Sequence, residues 1–499
     1  MGRRDTPPSA GHRTAVATGI LACAAVALVL ACDSGRGSSG PRGGPIADVG
    51  APEHAPGEGG LDGTIAASDA RLSGNGDALG GDRDAGASDA TTADDRPGNA
   101  TGDNDADSDG ATAPLPVYGD LTQSASWATF DMPAHLEGGA TEYQGSAFDG
   151  RYVYFAPVTT GKVARFDTFA TALDEADAWS VVDLTRLKPT ASEYVGAVFD
   201  GRWIDFVPFG GGTVARFDTT GLFLDAGAWS FVDLTAFDAR AQGYFGAAYD
   251  GRFLYLSPYR RPDGVVHGFA ARFDTTAPLG DASAWTFLDL TAVAPALLGM
   301  DGCAFDGVYI YYTPFDQAVG HVVARVDTRA DFTTLASWET FDVGALDPRA
   351  IAFQGSVFDG QFVYFVPWDN GNGSKLARFD TRAPFAQPSS WTVFDLAGVD
   401  PNARAFVGGQ FDGRFVYFAP YGYYADSGLV VRYDSTRAID DLSGWSKFDL
   451  TTKSPSAVAF AGVGFDGRFI YLVPEGTGTF ARFDAKRPPS LPPHLGSFM

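Results

Sequence analysis

Cysteine is scarce: Cys23, Cys32 and Cys303 are the only three in 499 residues. Two of them fall within the first 32 residues, so the bulk of the chain holds one thiol and neither a disulfide framework nor a cysteine zinc site. Histidine is almost as sparse, with six residues, and none stands at zinc-ligand spacing. There is no phosphate-cradling glycine loop and no nucleophile elbow. Aromatic residues are missing altogether before Tyr118, and helical periodicity is almost absent after it. No catalytic constellation is in view, and no cofactor is expected. Cationic side chains are in deficit, with a net charge of −25. That disfavours nucleic acid and anionic membrane surfaces as partners.

What the chain does have is a repeat. Phe411 to Pro420 reads Phe-Asp-Gly-Arg-Phe-Val-Tyr-Phe-Ala-Pro, and versions of it begin at Phe148, Phe199, Tyr249, Phe305, Phe358, Phe411 and Phe465. Asp-Gly signals a two-residue hairpin; a type I′ turn takes positive φ at both positions. The run after the turn is aromatic and β-branched, which reads as a strand. It is nearly continuously apolar, as in a strand covered on both faces, and Pro ends it. Each unit adds an Arg-aromatic-Asp set at Arg165, Arg216, Arg272, Arg325 (with Val326 as the middle residue), Arg378, Arg432 and Arg482. Each also has a Trp four residues before an Asp, from Trp127/Asp131 to Trp445/Asp449. Four strands per unit follow: A (Tyr-x-Gly-x-x-Phe), B after the turn, C with the Arg and D with the Trp. Spacings of 50 to 56 residues then predict an all-β, seven-bladed β-propeller of four-stranded blades over residues 116–486.

The phase of the repeat predicts how the ring closes. Trp127–Asp131 reads as a D strand that precedes any A strand, while the unit from Phe465 lacks a D strand of its own. The N-terminal strand can complete blade 7, which removes the exposed sheet edges. Residues 487–499 form a Pro-rich tail that is expected to fray.

Ahead of the repeats lie two other segments. Residues 1–32 carry Arg3, Arg4 and Arg13 and an uncharged run from Thr14, as in a secretory signal. Residues 33–115 hold 16 acidic residues against 5 Arg and no Lys. Such a segment buries too little apolar surface to offset ordering entropy, so a disordered acidic tether is expected. Asp105 to Gly110 begins like a calcium loop, but its twelfth position is Pro116 rather than a bidentate Glu; a solvated linker is the plainer reading.

The Phe-Asp-Gly-Arg units, with Val29-Leu30-Ala31-Cys32 closing the uncharged run, resemble a bacterial seven-bladed β-propeller lipoprotein. The Gly-His and Trp-Asp signatures of WD repeats and the double glycine of kelch repeats are both missing. The lipobox resemblance implies cleavage before Cys32, lipidation there, and a place at the bacterial cell envelope, periplasmic or cell-surface. An ordinary cleaved signal and an uncleaved anchor are the alternatives.

Loop lengths point to a face. Strand C to strand D and strand D to the next strand A keep nearly constant spacing. From the strand B Pro to the strand C Arg the spacing is 8, 8, 14, 11, 11, 12 and 8. Variation confined to one connection marks the B–C and D–A end of the blades as the candidate binding face. Aromatic residues follow the strand B Pro in five blades: Phe209, Tyr259, Phe315, Trp368 and Tyr421. With Arg260 and Tyr423 they are candidate ligand-binding residues for a glycan, peptide or protein; the plainer reading is that the rings pack on one another. His267 and His321 lie in the B–C loops of blades 3 and 4 and are weak candidate metal ligands. The repeated Arg and Asp residues read as structural, since an active site breaks symmetry. The chain therefore reads as an envelope binding module. The alternatives are a propeller hydrolase or lyase with its site at the channel mouth, and a structural envelope protein.

Overall fold

The structure is a computed structural model that describes residues 115–136, 141–175, 177–316, 320–368, 374–422, 426–492 and 497–498. The targeting segment with Cys32, the tether up to residue 114, and Tyr423 lie outside the described residues.

Seven four-stranded antiparallel sheets form a ring with almost no helix. Blade 6 is representative, with strand A Phe406–Phe411, strand B Phe415–Pro420, strand C Leu429–Asp434 and strand D Trp445–Asp449. The order A-B-C-D recurs in blades 1 to 6, and successive A strands adjoin one another around the axis. Blade 7 combines Phe460–Phe465, Phe469–Pro474 and Thr479–Asp484 with the N-terminal strand Trp127–Asp131. Trp127 pairs with Phe483 and Asp131 with Thr479, so the ring closes as the repeat phase predicts.

The repeated polar residues hold the blades together. In blade 1, Asp149 Oδ1 accepts the backbone N–H groups of Arg151 and Tyr152 at 2.8 and 2.7 Å, and Oδ2 accepts the Tyr154 hydroxyl at 2.7 Å. Six blades repeat the Tyr–Asp bond at 2.5–2.9 Å. This corrects the type I′ expectation. Only Gly takes positive φ, 103° at Gly150 and 103° at Gly413, while the Asp ties the turn through its side chain. A glycine at the first of two loop positions is the type II′ arrangement.

The strand C Arg stacks on the aromatic residue that opens strand B. Arg165 lies 4.0 Å from the Tyr152 ring centroid, Arg432 4.0 Å from Phe415 and Arg482 4.2 Å from Phe469. Blade 2 departs from this: Asp205 replaces the Tyr, and Arg216 grips it through Nε and Nη2 at 2.7 and 2.8 Å. All seven strand D indoles donate to the carbonyl oxygen six residues earlier, at 2.8–3.0 Å. This satisfies the one polar atom of a large buried ring.

Each strand A is interrupted at its Gly. The register slips between Tyr143 and Ser146, with Gly145 at φ 80°, and the same slip recurs in the other six blades. These are β-bulges that need the left-handed region and no side chain. A Cβ on Gly462 would sit 3.1 Å from the Gly145 Cα of the next blade, so the inner strands close tightly on the axis. The tail expected to fray is strand-paired at Arg487 and at Ser497–Phe498. Lys486–Arg487 pairs with Val117–Tyr118, and Ser497–Phe498 adds a fifth strand to the inner edge of blade 3.

Candidate functional site

The residue after each strand B Pro donates its N–H to the carbonyl oxygen of the residue before strand A, as from Tyr421 to Ala405 at 3.0 Å and from Trp368 to Ala352 at 3.0 Å. This bond turns the chain inward where strand B ends. It also brings the start of strand A into the left-handed region, at φ 60° for Glu193, 57° for Ala352, 55° for Ala405 and 57° for Ala459. The B–C and D–A connections therefore meet at one mouth of the central channel.

The five aromatic candidates are brought together there. Phe209 and Tyr259 have centroids 6.3 Å apart, Tyr259 and Phe315 5.5 Å, Phe315 and Trp368 6.2 Å, and Trp368 and Tyr421 5.3 Å. They form an unbroken belt from blade 2 to blade 6. Beneath it lie Val195, Phe245, Val407 and Ala461, from the x position of Tyr-x-Gly, in one apolar cluster with the belt and Val158. Tyr259 is buried, whereas Phe209, Phe315, Trp368 and Tyr421 keep part of their surface in solvent. The rings thus pack on one another and still present a common surface. Arg260, the polar candidate, places its guanidinium 5.1 Å from the Tyr259 centroid.

Blade 7 breaks the belt with Glu475, which is 6% exposed. Burial, and then the nearby charge of Glu142 in blade 1, push its carboxyl up to about 8. A second acidic group lies deeper. Asp301 occupies the x position of blade 4, is 0% exposed, and has no hydrogen-bond partner for either carboxylate oxygen among the described residues. Burial holds it well above the ordinary carboxylate range; Gln354 in blade 5 is near enough to lower it somewhat but makes no hydrogen bond to it within ordinary geometry. Sequence reasoning missed Asp301. The signal was the x column itself, Gln144, Val195, Phe245, Asp301, Gln354, Val407 and Ala461, in which one acid stands among mainly apolar residues.

The two histidines are not brought into one site. His267 Nδ1 accepts the Phe269 N–H at 3.1 Å, so Nε2 carries the proton and faces the Gly243 carbonyl at 3.2 Å. That tautomer leaves no lone pair for a metal. His321 Nδ1 lies 2.7 Å from Asp342 Oδ1 in its own blade. No cluster of three metal-ligating side chains occurs among the described residues. Cys303 is buried and its thiol is pushed up by that burial, as in an inert core residue. A separate cleft of about 430 Å³ opens at the closure seam between Trp127, Phe169 and Arg482, where the Arg468–Asp484 ion pair sits.

No family model and no curated protein sequence matches the chain. Among solved structures it is similar to a streptogramin B lyase, with 12% identity, 72% of this chain and 98% of that chain covered, and a TM-score of 0.50. It is also similar to virginiamycin B lyase from Staphylococcus aureus, with 14% identity, coverage of 72% and 99%, and a TM-score of 0.49. The WD40 domain of Pan2 from Neurospora crassa has 9% identity, coverage of 74% and 99%, and a TM-score of 0.48. At 12% identity the first of these shows a likeness of fold alone.

Proposed function

We propose that this chain is an exported, lipid-anchored binding module at the bacterial cell envelope, and that it takes a glycan, peptide or protein on the B–C/D–A face. One observation carries the binding reading: the belt of five aromatic rings around the channel mouth, partly open to solvent, at the end where loop length varies. Ring faces held rigid by one another bind sugar faces or apolar peptide side chains at low entropic cost. The anchoring reading rests on the basic start of the chain, the uncharged run and Cys32. Array binding of the full chain tests the first part. A hit on a glycan or peptide that disappears in Trp368→Ala/Tyr421→Ala supports the mouth as the site, and a hit unaffected by that change refutes it. Cys32→Ala tests the second part, since it releases the protein from membranes if Cys32 carries the lipid.

A catalytic reading has one observation in its favour. Glu475 breaks the series of aromatic residues at the mouth, and burial, then the charge of Glu142, push its carboxyl up to about 8, which favours the protonated form that a general acid needs. Turnover of a bound ligand, lost in Glu475→Gln with binding kept, would favour it.

A further inference from the structure

The seam cleft between blades 7 and 1 lies at the Asp-Gly end of the ring, opposite the aromatic mouth. Residues 125–128 and 168–171 line it, with Arg468, Phe469, Arg482 and Asp484. Its volume of about 430 Å³ falls within the range of small-molecule sites. Arg482 is 8% exposed, and its Nη1 has no hydrogen-bond partner among the described residues. Other strand C arginines are met: Arg216 by Asp205, Arg325 by Glu339 and Arg432 by the Gly119 carbonyl. Arg165, Arg272 and Arg378 each leave Nε unpartnered, so an unfilled donor alone does not mark a site. The next blade caps two of these with a ring, Phe223 at 4.4 Å from Arg165 and Phe332 at 5.0 Å from Arg272. The equivalent position beside Arg482, six before the strand D Trp, is Leu173.

Two departures from the repeat meet in this cleft. From the strand C Arg to the strand D Trp, blade 1 counts 14 residues and the next five blades 13. The second residue after the strand C Asp is Phe169 in blade 1 and Thr or Arg in those five. Phe169 is 72% exposed, an arrangement that core packing does not explain. Arg151, bonded to Asp167 at 2.7 Å, lies 5.4 Å from its ring centroid.

The charge of the cleft is the reverse of that of the chain. Phe469 carries two guanidinium groups, Arg468 at 4.4 Å and Arg482 at 4.2 Å from its centroid. Asp484 is engaged by Arg468 at 3.0 Å and by Arg487. Asp466, the turn acid of the same blade, accepts from Tyr471 and from the backbone of Arg468 and Phe469. The charge of Arg482 is left over, in a protein of net charge −25.

We propose that the seam cleft is a second binding site, for a small organic carboxylate with an aromatic body. Arg482 takes the carboxylate, which its planar fork matches in shape. Phe169 covers the aromatic body, and the stacking on Phe469 holds Arg482 in place before the ligand arrives. One unmatched cationic group suits a monoanion rather than a phosphate dianion. The site does not rest on the mouth reading, and failure of every array ligand leaves it standing.

The test is calorimetric titration of the full chain with phenylacetate, with its uncharged isostere phenylacetamide, and with inorganic phosphate. Phenylacetate is expected to bind at least about tenfold more tightly than either. Phe169→Thr restores the residue of other blades at an exposed position, so it keeps the fold; it should weaken phenylacetate about tenfold. Arg482→Lys keeps a charge and loses the fork, and should weaken it by at least as much. Amide exchange with phenylacetate should show protection at Thr168 to Thr171. Equal affinity for phenylacetate and phenylacetamide overturns the proposal, as does phosphate binding as tightly as phenylacetate. So does phenylacetate binding that Phe169→Thr leaves unchanged, or no phenylacetate binding up to about 10 mM.

Discussion

Trp127, at the start of the folded chain, lies directly across a strand pair from Phe483, near its end, with ring centroids 4.9 Å apart. This contact joins the two ends of a seven-unit array into a ring. Leu121, Phe130 and Met132 are buried with the same segment. At about 1.5–3 kcal/mol for each large apolar side chain buried, the segment contributes several kcal/mol.

Removing residues 116–131 is therefore expected to destabilise the whole propeller rather than to trim one edge. Its melting temperature should fall steeply, and the exposed strand Thr479–Asp484 should promote aggregation. Trp127→Ala alone should cost about 3–5 kcal/mol in denaturant unfolding. An unchanged melting curve for the deletion would remove the closure account.

The Asp-Gly turn predicts a graded effect. Tyr417 donates to Asp412 Oδ2 at 2.8 Å in a buried setting, while Oδ1 holds the backbone of Arg414 and Phe415. Tyr417→Phe should cost about 1–2 kcal/mol, and Asp412→Ala should cost more, because it leaves two backbone donors and one hydroxyl unsatisfied. Equal costs in urea titration would show that the carboxylate is not the organiser of the turn.

The buried acids predict that stability falls as pH rises. Asp301 and Glu475 both have folded-state values above their unfolded ones. Between those values the folded state binds more protons than the unfolded state, so stability is greatest below the unfolded carboxyl range and declines upward. For Glu475 the decline runs from its ordinary value of 4.5 to about 8. Asp301→Asn should be nearly neutral at about pH 4 and stabilising at about pH 8. A wild type whose stability rises steadily over that interval, with no gain in the Asn variant, would contradict the burial of Asp301.

The Arg–Asp pairs predict little. Arg151 bonds Asp167 at 2.7 Å, but its side chain is 53% exposed. Arg151→Ala should cost at most about 1 kcal/mol. Arg216→Ala should cost about 3–5 kcal/mol, because it strands the buried Asp205. A double-mutant series of melting curves separates the two cases.

The blades, their order and the closure were legible because Trp127 and the Asp-Gly turns recur in fixed phase, and phase survives without coordinates. The turn type was misread because Asp149 acts through its side chain, which spacing does not show. Asp301 and Glu475 were harder still. Their chemistry comes from burial, and the groups that act on them, Gln354 and Glu142, stand in other blades. The left-handed residues before strand A were hidden for a related reason: Ala405 and Glu193 stand where Gly would have announced them. The aromatic belt lay between the two cases. Its residues were visible as the positions after Pro, but whether they merely packed or also stayed open required the partial exposure of Trp368 and Tyr421.

The most direct measurement of the central claim is amide hydrogen exchange of the full chain with and without its strongest array ligand. The account predicts protection concentrated in the B–C connections of blades 3 to 6 and around Glu475, with the Asp-Gly turns unchanged. Protection confined to the Asp-Gly turns, or to the seam between Trp127 and Phe169, would contradict it and move the binding face to the opposite end of the ring.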